Sequence, residues 1–250
     1  MKFLYYLAAF GNPYFSKKVE VLLHNLIYLN QHLKQPFDLI INCYETDQKT
    51  IDYINRLAKN LNFIDRFYLY NKKGVLTELF LTNPHNKLVR NYDYVLFTLD
   101  DIKIININIW DMIRVKRKYN IRFLSPKVLN STKYFKYMSK YNRNIVTINN
   151  CLEIFMLLFS SRDFFKFISL YTIKNKWMWG IDHLFGYYKI RAGMVNRYSV
   201  NHLFTGGSNK LLARRLAEEY LKEKKIPFKT LRHIRNKYSA VSRFIHEKKR

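Results

Sequence analysis

The sequence predicts an α/β fold whose first half is a mostly parallel sheet covered by helices on both faces. Three observations carry that expectation. Apolar runs of strand length recur at 3–10, 37–42, 63–70 and 93–99. Segments with apolar residues at helical spacing separate them. The runs are apolar almost throughout rather than alternating, as strands buried on both faces are.

The elements follow in order. Residues 3–10 read as the first buried strand. They superficially resemble a signal peptide, but the apolar part is short, and Gly11-Asn-Pro13 followed by Lys17 and Lys18 is a poor cleavage region. Residues 16–34 place Val19, Leu22, Leu23, Leu26, Leu29 and Leu33 at helical spacing. The second strand starts after Pro36 and runs from Phe37 to Asn42. Residues 47–60 form a helix with Ile51, Ile54, Leu57 and Ala58 on one face. A third strand covers Phe63 to Tyr70, a helix runs from about Gly74 to Leu81, and the fourth strand ends at Leu99. No G-x-G-x-x-G and no P-loop follows any strand, so a ligand at their carboxyl ends is held without a glycine-rich phosphate cradle.

The second half is less regular. Residues 107–119 read as a basic helix and Arg122–Ser125 as a short strand. Residues 130–144 read as an exposed loop or broken helix. Strand-like runs cover 144–148 and 152–159, and helices are expected near 161–171 and 181–190, around an aromatic turn at Trp177-Met-Trp179-Gly180. A last short strand over 193–200 leads to His202. Residues 208–225 read as helical, and the basic tail from Lys229 to Arg250 as a loosely packed helix. These boundaries divide the chain into 1–102, 103–205 and a C-terminal extension, 206–250.

Forty-four Lys and Arg against 18 Asp and Glu give a net charge of +26, which attracts nucleic acid, anionic membrane or phosphorylated substrates alike. Lys, Asn, Ile, Tyr and Phe dominate as in an AT-rich coding genome, which weakens the charge as evidence for nucleic acid. The two cysteines, Cys43 and Cys151, lie in apolar segments, read as buried thiols and have no zinc spacing. No segment reaches the ~18 apolar residues of a membrane span. The expectation is a cytoplasmic protein.

Four constellations carry chemistry. In Tyr94-Val-Leu-Phe-Thr-Leu-Asp100-Asp101 an apolar strand stops at two carboxylates, hard oxygen ligands suited to Mg²⁺ or Mn²⁺ on a diphosphate. Asp also commonly caps a helix or closes a strand-turn, but these carboxylates emerge at the carboxyl end of an apolar strand, where ligands of α/β sheets bind, and that context favours metal or nucleotide contact. In Trp179-Gly-Ile-Asp182-His183 a carboxylate stands beside indoles that can stack a sugar; it can also be an acid favoured at a helix N-terminus. His202 is a third metal ligand or a structural imidazole. Lys72-Lys73-Gly74 suits phosphate at a helix start or forms a solvated basic turn.

In this order the motifs resemble the nucleotide-sugar-dependent glycosyltransferases of the GT-A fold, over most of residues 1–205. Leu4-Tyr-Tyr-Leu-Ala-Ala-Phe-Gly11, Phe37-Asp-Leu-Ile-Ile-Asn-Cys-Tyr44 and Asn175-Lys-Trp-Met-Trp-Gly-Ile-Asp182 look similar to glycosyltransferase-like proteins of large DNA viruses and of bacteria. A viral chain would act in the host cytoplasm. The resemblance implies a Rossmann-like nucleotide-binding half on a mixed central sheet, a UDP- or GDP-linked sugar donor, Mn²⁺ or Mg²⁺, and a glycan or glycoprotein acceptor. It implies that Asp101 and His202 hold the metal, with Asp100 on the metal, ribose or sugar. Ala8, Ala9 and Phe10 would line the base, Asn42 and Tyr44 would face the nucleotide, and Lys73 and Gly74 would lie near the phosphates. Asp182 would be the base in an inverting reaction, with Glu153 in reserve. The pattern Leu99-Asp-Asp-Ile102 departs from the family's D-x-D by one acid. Two other readings stay open. One is a metal-dependent protein that binds nucleic acid or processes phosphodiesters, although 18 acids in the whole chain supply a two-metal nuclease poorly. The other is an inactive glycosyltransferase-like binding module. The basic tail is a candidate for peripheral membrane contact.

Overall fold

The computed structural model describes residues 1–12, 14–44, 47–130, 146–149, 152–182, 184–203, 210–226 and 241–245. The first half matches the predicted alternation: β1 (Phe3–Phe10), α1 (Phe15–Leu33), β2 (Phe37–Cys43), α2 (Gln48–Lys59), β3 (Ile64–Asn71), α3 (Leu76–Thr82), a 3-10 helix (Pro84–Asn91) and β4 (Tyr94–Thr98). The second half contains β5 (Ile102–Asn106), α4 (Ile109–Lys118), β6 (Phe123–Val128), β7 (Val146–Asn149), β8 (Met156–Ser160), α5 (Ser161–Ile168), a single turn α6 (Leu184–Tyr187), β9 (Ala192–His202), α7 (Lys210–Glu223) and β10 (Val241–Ile245).

One mixed sheet runs β10-β7-β9-β6-β8-β4-β1-β2-β3, with β5 paired to β9 off this path. β3, β2, β1 and β4 are mutually parallel. β1 therefore lies between β2 and β4, and the chain reverses its direction of growth there. Such a switch point opens a crevice at the carboxyl ends of the flanking strands. β8 joins β4 antiparallel, extending the sheet into the second half.

Alternate side chains of β1 enter opposite layers, as the strand period requires. Phe3, Tyr5 and Leu7 pack with Leu22, Leu26 and Leu29 of α1 and with Met112 of α4. Leu4, Tyr6 and Ala8 pack on the other face among Phe80, Phe97, Phe123, Phe159, Phe164, Phe167 and Phe185. The high Phe content thus fills one of the two layers, largely through edge-to-face ring pairs such as Phe80–Phe97 at 5.3 Å and Phe123–Phe185 at 5.0 Å.

β5 is a strand that the sequence reading did not contain: Ile102, Ile104 and Ile105 favour a strand, but the segment is only five residues long and is interrupted by Lys103. On one side it pairs antiparallel with β9, Ile102 opposite His202. On the other side α1 takes the place of a strand. Asn25, 1% exposed, donates to Ile102 O at 2.7 Å and accepts from Ile104 N at 2.8 Å. His24 Nε2 lies 2.8 Å from Ile104 O, and the Tyr28 hydroxyl bonds the backbone of Ile107. Polar residues on the inner side of an apolar helix therefore satisfy backbone groups that burial would otherwise strand.

Three other expectations change. The helix read near 181–190 is only Leu184–Tyr187, since Met178 and Gly180 adopt left-handed backbone just before it and Lys189 just after it. The strand read over 152–159 is Met156–Ser160. The tail is not wholly helical: Val241–Ile245 is a strand antiparallel to β7, where backbone ladder bonds replace the solvated helix expected of a basic segment. The loop expected over 130–144 lies almost entirely outside the described residues, as do Cys151 and His183. Cys43 is a buried thiol in β2.

Candidate metal and donor site

The two carboxylates after β4 emerge at the carboxyl end of the switch-point strands, and the structure separates their roles. Asp100 falls on the α1 side of the sheet. There Lys18 meets it at 2.7 Å, with both side chains largely buried. The same ammonium donates to Gly11 O at 2.8 Å and to the Tyr44 hydroxyl at 2.7 Å, and that hydroxyl in turn donates to Asp100 at 3.5 Å. Burial pushes the Asp100 carboxyl up to about 6, against the pull of Lys18 and with a further push from Asp101. The ends of β1, β2 and β4 are thereby tied by one cation.

Asp101 turns the other way. Its Oδ2 lies 2.9 Å from His202 Nε2, and its carbonyl accepts from Leu203 N at 2.9 Å. The β5–β9 register brings together two residues 101 positions apart. The imidazole lies against the Phe155 ring at 4.4 Å, and Phe155 O accepts from Leu99 N just before the acid pair. Asp101 Oδ1 is buried and has no hydrogen-bond partner among the described residues. A buried carboxylate oxygen lacking a partner is costly unless something binds it. A carboxylate beside an imidazole is a donor set that suits Mn²⁺ or Mg²⁺, so these residues fit a divalent cation. Among the described residues no group of three His, Cys, Asp or Glu gathers at one point. A cation here would draw its other ligands from water or a bound ligand.

The remaining sequence candidates fall elsewhere or serve other ends. The Ala8 and Phe10 side chains lie within the two hydrophobic layers, so only their backbone and Ala9 can face a ligand. The Asn42 side chain is taken up by internal hydrogen bonds. It is fully buried, donates to Ala8 O at 3.0 Å and to Tyr6 OH, and accepts from Asn83 at 2.6 Å, bracing the strand ends from below. Lys73 is exposed, while Lys72 pairs with Glu78 in the first turn of α3. A Cβ on Gly74 would sit 2.9 Å from Glu78 Oε2. That helix start already has a carboxylate against it, which disfavours a phosphate there. Asp100 is paired with Lys18 and stands close enough to Asp101 for the two carboxylates to repel.

Asp182 follows a turn anchored to α3: Thr77 Oγ1 donates to Asn175 O at 2.5 Å and Thr77 N to Lys176 O, while the Asn175 amide donates to Trp179 O at 2.8 Å. Trp179 is exposed and Asp182 half-buried on this turn. Glu153 is buried just before β8, two residues from the Phe155 that contacts His202. Sequence reasoning missed Lys18. Its signal was present: position 18 continues the inner stripe of Leu22, Asn25 and Leu29, where a lysine needs an anion.

No protein-family model and no curated protein sequence matches the chain. Solved structures do. The chain is similar to GalNAc-T7, solved with UDP, GalNAc and Mn²⁺, at a TM-score of 0.62 and 8% identity over 89% of this chain and 48% of that one. It is similar to the mannosyltransferase PcManGT of Pyrobaculum calidifontis, in complex with GDP-Man and Mn²⁺, at 0.60 and 10% identity over 92% of this chain and 65% of that one. Residues 1–349 of S. aureus TarS, in complex with UDP-GlcNAc, align at 0.54 and 13% identity over 94% and 69%. The chain thus spans about half the length of GalNAc-T7. At these identities the likeness is one of architecture, and the architecture of this chain is the GT-A glycosyltransferase fold.

Proposed function

We propose that this protein transfers a sugar from a nucleoside-diphosphate sugar, UDP- or GDP-linked, to a glycan or glycoprotein acceptor. The observation that carries the reading is the site at the β1/β4 switch point, where Asp101, whose buried Oδ1 has no hydrogen-bond partner among the described residues, meets His202. The nucleotide-bound states of the similar structures support it.

In this mechanism Asp101 and His202 would hold the metal. A divalent cation bound there would offset the negative charge growing on the leaving diphosphate. Lys18 keeps Asp100 in place at the rim, where its carboxylate can accept from a ribose or sugar hydroxyl. In an inverting reaction Asp182 takes the proton from the acceptor hydroxyl as that oxygen attacks the anomeric carbon, and the bond from that carbon to the diphosphate oxygen breaks. Trp179 gives the acceptor a flat apolar surface. Glu153 is the alternative base.

Calorimetric titration with UDP- and GDP-sugars, with and without Mn²⁺, tests the reading. Metal-dependent donor binding is expected, and a folded sample that binds no nucleotide refutes it. A panel of nucleotide-sugars screened for donor hydrolysis then identifies the sugar. Asp182→Asn should keep donor binding and lose transfer. Donor binding without turnover on any donor or acceptor would mark the chain as a binding module.

A further inference from the structure

Helix α4 carries a different chemistry at the opposite end of the sheet. Met112, Ile113 and Val115 are buried on its inner side. Trp110, Arg114, Arg117 and Lys118 are exposed on its outer side and recur at helical spacing. Together with Met1, Asp93 and Ile113 they line an open concavity of about 590 Å³. Trp110 is 43% exposed and Met1 41%, so two large apolar side chains stand in water at one mouth.

The charges around that mouth are unbalanced. Among the described residues that line it, Asp93 is the one acid, and it accepts from the backbone N–H of Lys2 at 2.8 Å. Asp111 beneath is shared between Arg114 and Arg197, two cations to one carboxylate. Arg117 is oriented by its Nε bond to the Tyr94 hydroxyl at 2.6 Å and by the face of that ring. Three cations thus ring an exposed indole. Indoles favour the headgroup layer of a bilayer, and Lys or Arg beside it are drawn to anionic lipid.

We propose that this face of α4 docks on an anionic lipid bilayer. Trp110 enters the headgroup layer, and Arg114, Arg117 and Lys118 meet the lipid phosphates and carboxylates. Apolar side chains amid the cations favour a bilayer over a nucleic-acid backbone, which would use the charges and leave the aliphatic Met1 idle. Met1 and Asp93 precede β1 and β4, whereas Asp100 and Asp101 follow β4. Docking here leaves the metal site facing away from the bilayer, toward acceptors in the aqueous phase. The inference does not depend on donor binding, so either can fail alone.

Cosedimentation of the full chain with sucrose-loaded vesicles tests it. Binding is expected to phosphatidylcholine vesicles containing phosphatidylserine and not to phosphatidylcholine alone, weakening as salt rises. Trp110→Ser/Lys118→Glu alters two exposed side chains and should leave the melting temperature unchanged while weakening binding roughly tenfold or more. A blue shift of indole emission on the mixed vesicles should disappear in Trp110→Ser. Undiminished vesicle binding by the double variant overturns the proposal, as does no binding by the parent at physiological salt. Loss of binding to a short DNA duplex with vesicle binding intact also overturns it, assigning the face to nucleic acid.

Discussion

Replacing Asp163 by alanine tests how the second half of the sheet is held against α4. Asp163 and Lys116 form a buried ion pair at 2.7 Å. The carboxylate also accepts from Ser160 Oγ at 2.8 Å, while Ser160 caps α5 through Asp163 N, and Arg122 lies 3.3 Å from its other oxygen. Removing one partner of a buried pair costs about 3–5 kcal/mol, because the other charge stays buried. Lys116 would keep its bonds to Ile121 O at 2.7 Å and Arg122 O at 2.5 Å, which favours the lower end, roughly 3 kcal/mol. At about 2–4 °C per kcal/mol for a chain of this size, the melting temperature should fall roughly 6–12 °C. Lys116→Met/Asp163→Ala should cost less than the sum of the single variants by roughly 1–3 kcal/mol, since no ion is then stranded. Thermal and urea unfolding followed by circular dichroism measure both quantities. A fall under about 3 °C, or strict additivity, would show that water already solvates the pair and refute the reasoning.

Three further outcomes are expected. Asp101→Asn should weaken Mn²⁺-dependent donor binding by roughly 100-fold or more with little change in melting temperature, read by calorimetry, because it removes the carboxylate proposed to ligate the metal. Asn25→Leu should cost roughly 2–5 kcal/mol by stranding Ile102 O and Ile104 N, and should also weaken Mn²⁺-dependent binding, since β5 sets His202 opposite Ile102. Burial acts to raise the Asp111 carboxyl, but Arg114, Tyr198 and Arg197 together hold it below the usual range. A folded-state value below the unfolded one contributes stability above the unfolded value, lost as pH falls through the folded one. Asp111→Asn should therefore lower stability at neutral pH and flatten the acid limb below about pH 4 in pH-resolved melts.

Local pattern carried the first half. β1, β2 and β4 are short apolar runs, β3 is a half-exposed edge strand rich in aromatics, and α1 and α2 show their own spacing, so no long-range knowledge was needed to find them. The same locality exposed Asp100 and Asp101, because the abrupt end of an apolar strand is visible in a few residues. It failed where an element owes its existence to partners. β5 is only five residues long and is held by Asn25, His24 and β9. Glu78 bears on the turn at Lys72 and Gly74 only once α3 is in place.

The sequence by itself determined the α/β alternation, the strand that ends in two acids and the excess of cations, because these rest on neighbours along the chain. Only the tertiary structure decided what each acid does. Lys18 reaches Asp100 from α1, and His202 reaches Asp101 through the β5–β9 register. Charge pairing acts over a few ångströms in space, and those distances exist only after residues scores of positions apart have been packed together.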